Sequence, residues 1–418
     1  MRVLMTNWYY VPEFSGAAMQ CHRLSLELVK LGLTVEVLTG AANPSLLGED
    51  SVDGIKVTRV LRDTSTPLRH ARFGWDMFRY ILKNHKKYDL IHSHGFIAPV
   101  NLAALLTRTP LVQKITNLHV DDPVTVKHRK WGRLLMMLYR RARVIIPTSE
   151  KLESTCEVKH LKKQSFTRLP NGINPRQFKP VAWQQRLELR RKLAIPDDHL
   201  ALLTVGSVNY NKGMDMLVRA VAELKKTVKR KFIVLVVGPN KLCRNYALGN
   251  HEVDAFSQNL LKTIGEQSLF KTIRFEGVRA NVDEYMQAAD IYIHPSRQEG
   301  QPNAIIEAMA SGLPIVANLL YGITDELVQN GKCGYVVNGE DDKEFAAAIR
   351  VLVNNDSLRL RLATYARVET LQNYNLWKIA EKYRSLYTHV INNEPVKSME
   401  HELPGESLFS ILNNIKIR

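Results

Sequence analysis

Two glutamates, Glu299 and Glu307, stand eight positions apart where a predicted strand gives way to a loop and then a helix. Pro302 separates them, so Glu299 is expected in the loop, and Glu307 near the start of a helix that Asn303 caps and Gly312 ends. A carboxylate accepts hydrogen bonds from the paired hydroxyls of a ribose or hexose. A helix start favours a phosphate. Together these features predict a site for a nucleotide sugar.

Strands and helices that could position this site alternate along the whole chain. Strands are predicted at 3–6, 35–39, 90–93, 111–115, 144–147, 201–205, 232–237, 272–275, 290–294, 314–317 and 335–337, and the clearest helix at 16–31. This alternation predicts fold class α/β, with parallel sheets and crossover helices. With 418 residues, the chain can form two doubly wound domains. We expect them at 1–177 and 178–372, facing a central cleft, with ligands beyond the carboxyl ends of the strands.

The residues around the glutamates read Pro295-Ser-Arg-Gln-Glu-Gly-Gln-Pro-Asn-Ala-Ile-Ile-Glu-Ala-Met-Ala-Ser-Gly-Leu-Pro314. This stretch resembles the Glu-x7-Glu signature of the retaining glycosyltransferases of family 4, which have the GT-B fold of two Rossmann-like domains. Four further segments match that family in the same order, and the resemblance covers most of residues 1–390. The four segments are 170–174, 206–213, 277–295 and 322–337.

The resemblance implies that the second domain binds a nucleoside-diphosphate sugar. Glu307 would bind the ribose hydroxyls, Glu299 the donor sugar, and Lys212 the diphosphate. The family usually has Arg at the position of Ser207, so Lys212 and helix N-termini would meet more of the phosphate charge. The remaining donor-side residues are Gly206 in the phosphate loop, Gly277, Val278 and Arg279 beside the base, and Gly300, Gln301, Pro302 and Asn303 beside the sugar.

The first domain would bind the acceptor. Gly16 lies between a strand and a helix, where a missing side chain permits close approach of the backbone. His119 lies near the family's Thr-x-His, although the spacing from Thr116 is one residue too long, so that Thr116 or Asn117 could take its place. We interpret Glu299, Lys212 and His119 as the catalytic candidates. A C-terminal region, about 373–418 with a helix over 374–390, is expected to rejoin the first domain.

Positive charge is concentrated in the first half of the chain. The net charge is +17, with +14 in residues 1–180 and +11 in residues 127–180 alone. Residues 127–143 are predicted to form a basic amphipathic helix, with Leu134, Leu135, Met137 and Leu138 on its apolar side. Such a helix docks on anionic lipid headgroups. Lys159, Lys162, Lys163, Arg69, Arg72 and Trp75 are expected to extend the same face. We therefore expect a lipid-linked or glycan acceptor, in polysaccharide or glycolipid synthesis.

Cofactor and compartment follow from what the sequence contains. It has no Asp-x-Asp at a predicted strand end and no cluster with metal-ligand spacing, so neither a catalytic metal nor a cofactor is expected beside the nucleotide-sugar co-substrate. The four cysteines, Cys21, Cys156, Cys243 and Cys333, are scattered singly, which favours a reducing compartment. The chain is expected to be cytoplasmic and peripheral on the inner face of the membrane.

Three alternatives remain open from the sequence. A GT-B sugar-nucleotide epimerase would release its product without an acceptor. A nucleic-acid-binding protein is suggested by charge alone, without a recognition helix or an aromatic sheet motif, and we expect no nucleic-acid partner. A non-catalytic partner subunit would not need Glu299, Glu307 and Lys212. The motifs also leave open the base (uridine, guanosine or adenosine), the sugar and the linkage.

Overall fold

The computed structural model describes residues 1–13, 15–159, 161, 166–240, 242 and 254–395. The chain forms two compact units. The first comprises residues 1–172 and the described residues from Leu376 on, and the second comprises residues 173–375. The domain limits predicted at 177 and 372 lie close to these divisions.

A seven-stranded sheet forms the centre of the first unit, in the order β3-β4-β2-β1-β5-β6-β7. Its strands β1 to β7 are Arg2–Asn7, Thr34–Ala41, Gly48–Val52, Ile55–Leu61, Leu90–His94, Leu111–Lys114 and Val144–Ile146. All neighbours pair in parallel except β3 and β4. The sequence pattern did not predict β3 and β4. Because β3 is polar and almost wholly exposed, it lacks the apolar run of a buried strand.

The helices of the first unit lie between these strands. Helices α1 to α6 are Gly16–Lys30, Pro67–Asn84, Ala98–Thr107, Pro123–His128, Gly132–Tyr139 and Glu150–Val158. Short 3₁₀ turns occur at Pro44–Leu46 and His85–Lys87. The predicted helix over 16–31 is confirmed, and it ends where Gly32 has a φ of 84°.

The predicted basic helix over 127–143 is wrong as a single element. The chain breaks between α4 and α5, where Trp131 has a φ of 66°. The predicted apolar side is divided: Leu138 is buried, together with Met136, whereas Leu134 and Met137 are 51% and 48% exposed. A helical pattern that is apolar on both faces does not show which face packs on the sheet.

The second unit contains a six-stranded, wholly parallel sheet in the order β10-β9-β8-β11-β12-β13. Strands β8 to β13 are Leu200–Val205, Phe232–Val237, Ile273–Gly277, Ile291–His294, Ile315–Asn318 and Gly334–Val337. Every one corresponds to a predicted strand. Strands buried on both faces appear in sequence as continuous apolar runs, which is why these were identifiable.

Helices α7 to α14 of the second unit are Trp183–Lys192, Met214–Thr227, Ala255–Glu266, Val282–Ala288, Asn303–Ala310, Thr324–Val328, Asp342–Val353 and Asp356–Asn373. Helix α15, Leu376–Asn392, belongs to the first unit and packs against α1. The part of the predicted C-terminal region after residue 395 lies outside the described residues.

In both units the order of strands reverses beside the first strand: between β1 and β5, and between β8 and β11. This is the arrangement of doubly wound, Rossmann-like sheets, in which the loops diverge at the reversal and leave room for a ligand. Cys21, Cys156 and Cys333 are buried free thiols, and Cys243 lies outside the described residues. None of the helices in the described ranges combines the length and hydropathy needed to traverse a bilayer.

A cluster of buried polar side chains lies between the first sheet, α1 and α15. His92 Nδ1 lies 2.6 Å from the Tyr387 hydroxyl, and the Lys114 ammonium lies 5.6 Å from the centre of the Tyr383 ring. Burial lowers the pKa of Lys114 to about 7 and places the pKa values of His92 and His94 well below the usual range. His92 is therefore a buried hydrogen-bonding residue, and His94, whose ring nitrogens have no hydrogen-bond partner among the described residues, packs against the His92 ring.

Lys114→Met is expected to stabilise the protein at neutral pH. The folded-state pKa of Lys114 lies below the ordinary 10.5, so its contribution to stability is present above pH 10.5 and lost as the pH falls towards 7. Removing the amine should raise the free energy of unfolding by about 2 kcal/mol near pH 7, and by less near pH 10. Urea unfolding at both pH values measures this, with the exposed Lys87→Met as control. A gain that does not depend on pH would contradict it.

Candidate functional site

The predicted donor residues gather where the second sheet reverses. Strands β8 and β11 are paired neighbours, with Tyr292 opposite Leu203. The chain from Gly206 to Lys212 follows β8, and the chain from Pro295 to Pro302 follows β11. Because both loops leave the carboxyl ends of adjacent parallel strands, they lie side by side.

Direct hydrogen bonds fasten these two loops together. The Ser296 hydroxyl and the Arg297 amide both donate to the Asn211 carbonyl, at 3.1 and 2.8 Å. The Arg297 guanidinium donates to the Tyr210 carbonyl and to Asp215, each at 2.7 Å. The same guanidinium lies 3.9 Å above the Tyr210 ring. The two loops therefore form one cross-linked surface. The sequence pattern did not identify Arg297 or Asp215.

Gly213 permits this close approach. It has a φ of 64° at the start of α8, and a Cβ there would overlap the Pro295 carbonyl. A side chain is excluded both by the left-handed backbone and by the neighbouring loop. The glycine at the end of the predicted phosphate loop therefore has a packing role in the structure.

A buried carboxylate and two nitrogens meet at the centre of this surface. Lys212 Nζ donates to Glu299 Oε1 at 2.6 Å, and His294 Nε2 lies 3.2 Å from the same oxygen, off the direction of a well-formed hydrogen bond. Burial alone would raise the pKa of Glu299, but the Lys212 charge and the nearby His294 lower it to about 2. Glu299 is therefore an anion at neutral pH. His294 was not predicted as a site residue, although it ends a predicted strand.

Glu307 lies further along, inside α11, and is buried. The expectation that Asn303 caps this helix is wrong. The capping position is held by Pro302, without a side-chain hydrogen bond, and Asn303 is the first helical residue. Pro302 cannot donate a backbone N–H, and its fixed φ suits a helix start. Gly300, Gln301 and Pro302 are buried beside Glu299.

The remaining donor-side prediction lies at the end of β10. Gly277 has a φ of 71°, and its carbonyl accepts from the Gly238 amide at 2.8 Å. Val278 is 58% exposed, and Arg279 donates to Glu276 at 3.3 Å. These residues lie at the same edge of the sheet as the Lys212–Glu299 pair, two strands away from β8. Ser207 lies in the loop after β8 and is half-buried.

Three of the predicted acceptor-side residues, Thr116, Asn117 and His119, follow β6 in the first unit. Asp121 accepts from the Thr116 amide and hydroxyl, both at 2.9 Å, and from the Asn117 amide at 2.8 Å. Burial raises the pKa of Asp121 to about 6, opposed by these hydrogen bonds. Asp121 thus holds Thr116 and Asn117 in place, with Asn117 exposed.

His119 is exposed in the same loop, with a φ of 64°, and its amide donates to Asp122 at 2.8 Å. Gly16 is the first residue of α1, and the preceding Ser15 hydroxyl already accepts from the Ala18 amide. A ligand at this helix start would therefore meet fewer unpaired N–H groups than the sequence suggested.

Gly95, which sequence reasoning missed, lies between these loops. Its φ is 100°, and a Cβ there would lie 3.2 Å from Asp121 Oδ2 and 3.9 Å from the Trp8 ring. The glycine thus keeps the space between Trp8 and Thr116 open at the carboxyl edge of the first sheet. A glycine directly after a predicted strand was the available signal.

Two family models match the chain in sequence. The model of glycosyl transferases group 1 matches residues 185–369, and that of glycosyltransferase family 4 matches residues 14–177. The chain is a family 4 glycosyltransferase. The predicted family is thereby confirmed. The predicted enzyme, a hexosyltransferase-type glycosyltransferase, is confirmed as a glycosyltransferase (EC 2.4).

Relatives of this glycosyltransferase span nearly its whole length. An uncharacterized glycosyltransferase of Methanocaldococcus jannaschii is 24% identical over 93% of this chain and 98% of its own. A D-inositol 3-phosphate glycosyltransferase of Corynebacterium diphtheriae is 26% identical over 93% and 94%. The crystal structure of Anabaena HepE in complex with UDP and glucose has a TM-score of 0.74 at 20% identity, covering 93% of this chain and 99% of that one. The predicted GT-B fold, with its two Rossmann-like domains, is confirmed.

Lys212→Met is expected to destabilise the glycosyltransferase, because it leaves the buried Glu299 carboxylate without its ion-pair partner. Lys212 is about one-third exposed, so we expect a loss of about 1–2 kcal/mol at neutral pH. The stability that arises from the lowered pKa of Glu299 is present above pH 4.5 and lost towards pH 2. The difference in free energy of unfolding between Lys212→Met and the unsubstituted protein should therefore become smaller as the pH falls from 4.5 towards 2.

Chemical unfolding of Lys212→Met, Glu299→Gln and the double variant measures this coupling as a double-mutant cycle. The double variant should recover most of the loss, and the exposed Lys271→Met should be neutral. Additive losses in the double variant would show that the two side chains are not coupled.

Proposed function

We propose that this glycosyltransferase moves a sugar from a nucleoside-diphosphate sugar to an acceptor hydroxyl with retention at the anomeric carbon. The observation that carries the proposal is the Lys212–Glu299 pair, joined at 2.6 Å where the second sheet reverses. That position is where doubly wound sheets bind nucleotides. A buried anion beside an accessible cation offers one group for sugar hydroxyls and another for phosphate.

Each donor-side residue takes a role that fits its surroundings. Glu299, with the backbone of residues 300–303, holds the sugar hydroxyls, and Glu307 holds the ribose. The Lys212 ammonium has three N–H groups. One of them donates a hydrogen bond to Glu299, and the other two remain for the diphosphate. Ser207 adds only a hydroxyl. The exposed Val278, between Gly277 and Arg279, offers an apolar surface for the base.

The proposed transfer balances without a protein nucleophile. The bond between the anomeric carbon and the diphosphate oxygen breaks, and the acceptor oxygen bonds to that carbon on the same face. The acceptor proton passes to the departing phosphate oxygen. The products are a glycoside and a nucleoside diphosphate. In this scheme Lys212 and helix N-termini stabilise the charge that develops on the leaving group.

The acceptor is assigned to the first unit. Thr116 and Asn117 are held in place by Asp121, His119 lies on the same loop, and Gly16 begins α1 after β1 at the same edge of the sheet. We propose a lipid-linked or glycan acceptor in polysaccharide or glycolipid synthesis, reached by docking of the basic residues 127–143 on an anionic membrane surface at the cytoplasmic face. The exposed arginines and lysines of that segment support this. The Corynebacterium relative makes a phosphorylated polyol a second acceptor to test.

The donor and the stereochemistry can be tested together. UDP-glucose is the first donor to try, because HepE was crystallised with UDP and glucose. Binding should raise the melting temperature in proportion to the logarithm of ligand concentration above Kd. Glu307→Gln should weaken UDP binding about tenfold or more, whereas Glu299→Gln should reduce transfer while retaining UDP binding.

NMR of the glycoside then reports the anomeric configuration. An inverted product would contradict the proposed mechanism. Formation of a new sugar nucleotide in the absence of any acceptor would favour the epimerase instead. The exposed Glu266→Gln serves as a matched control for both glutamate variants.

Transfer is expected to continue in excess EDTA, because the proposal assigns the leaving-group charge to Lys212 rather than to a metal. Initial rates with and without EDTA, and after addition of Mg²⁺ or Mn²⁺, should agree within about twofold, whereas Lys212→Ala should lower kcat by about 100-fold or more. A rate that falls with EDTA and returns with one metal would overturn this assignment.

A further inference from the structure

A long segment of the first unit, from Leu90 to Ser149, contains no exposed acidic residue. Between Leu90 and Ser149 the sequence has only two acids, Asp121 and Asp122, and both are buried in the loop after β6. Helices α3 and α5 belong to this segment and contact each other. Within this segment, the exposed charges are therefore of one sign only.

A cavity of ≈ 240 Å³ is lined by this segment, at the amino-terminal ends of β6 and β7. Three arginines line it: Arg108 after α3, and Arg141 and Arg143 after α5. Asn101, Leu105 and Thr109 also line the cavity. Thr116 and Asn117 follow the opposite, carboxyl end of β6. The cavity is thus separate from the acceptor-side loop.

The three guanidiniums are poorly neutralised. Arg143 donates to the side chain of Asn393. In the part of the chain that the structure describes, no acidic side chain pairs with any of the three. Asn101 is buried, and its Oδ1 has no hydrogen-bond partner among the described residues. Arginine forks match phosphate oxygens, and a buried amide oxygen accepts from a hydroxyl.

Large exposed apolar side chains lie on α3 and α5, the two helices that precede the cavity's arginines in the chain, and Leu105 and Leu111 contribute to the cavity wall itself. Leu102 and Leu106, one helical turn apart on α3, are 37% and 61% exposed. Trp131, at the start of α5, is 72% exposed, followed by Leu134 and Met137. A free phosphate or a nucleic acid gives such side chains no partner. A lipid does, because acyl chains and the interface accept leucine and tryptophan beside a bound headgroup.

We propose that the arginine cavity binds the phosphate of an anionic phospholipid headgroup, while the apolar side chains of α3 and α5 enter the interface around it. This deepens the membrane docking of the proposed function and rests on it. It differs from docking by charge alone, because one headgroup is bound at a defined place. Phosphatidylglycerol, an anionic phospholipid, is the probe chosen for the test.

The test uses short-chain phosphatidylglycerol below its micelle concentration, so that no charged surface is present. Calorimetric titration of the full-length protein should show saturable binding of one lipid per chain. Arg141→Gln/Arg143→Gln should weaken this binding by about 30-fold, from the roughly 1 kcal/mol that each basic residue contributes near lipid phosphate. The matched pair Lys127→Gln/Lys130→Gln, with the same change of charge outside the cavity, should change it by less than about twofold.

Further titrations distinguish a lipid phosphate from free phosphate, and melting temperatures show whether the variants are folded. Inorganic phosphate that binds as tightly as the lipid would overturn the lipid assignment, as would equal binding of short-chain phosphatidylcholine. An equal loss of lipid affinity in both variant pairs, or the absence of saturable binding, would indicate a diffuse charge effect and refute specific binding in the cavity. Arg108→Gln provides a second cavity variant should the double variant lower the melting temperature. UDP-glucose binding should be unchanged in all of them, so failure here is distinguishable from failure of the donor assignment.

Discussion

The ion pair between Lys212 and Glu299 joins two loops that are distant in sequence and adjacent in the sheet. Charge attraction holds a carboxylate ionised where burial alone would favour its neutral form. Around it, Arg297 ties the same loops through Asp215 and the Tyr210 carbonyl. Strand order brings the loops together, and these charges then fix which atoms face the ligand. The proposed donor site therefore depends on electrostatics as much as on topology.

Much of this organisation could be predicted from the sequence. The parallel strands of the second sheet are continuous apolar runs, so all six were predicted, and their order follows from the doubly wound pattern. The positions of Glu299 and Glu307 relative to loop and helix followed from Pro302 and Gly312. These are local signals, carried by residues close to the feature they specify.

What could not be predicted depends on contacts between distant residues. Arg297 gains its place from Tyr210 and Asn211 on the loop after β8, more than eighty residues away, which no local pattern reveals. The polar strand β3 forms because β4 offers it an edge, not because its own residues favour burial. Which of the apolar residues of α5 are exposed could not be predicted, because apolar residues occupy both sides of the helix and packing within the fold decides which side is covered.

The cross-linked loops have a consequence for how a donor is selected. A binding surface that is already ordered loses little conformational freedom when a ligand arrives, so affinity and discrimination come from the contacts themselves. Arg297 belongs to the loop after β11, bonds to the loop after β8 and stacks on Tyr210, so this order is established when the protein folds, before a ligand binds. A substitution of Arg297 would make the two loops less rigid. The side chains that face the ligand would remain, but the protein would distinguish less sharply between sugars that differ at a single hydroxyl.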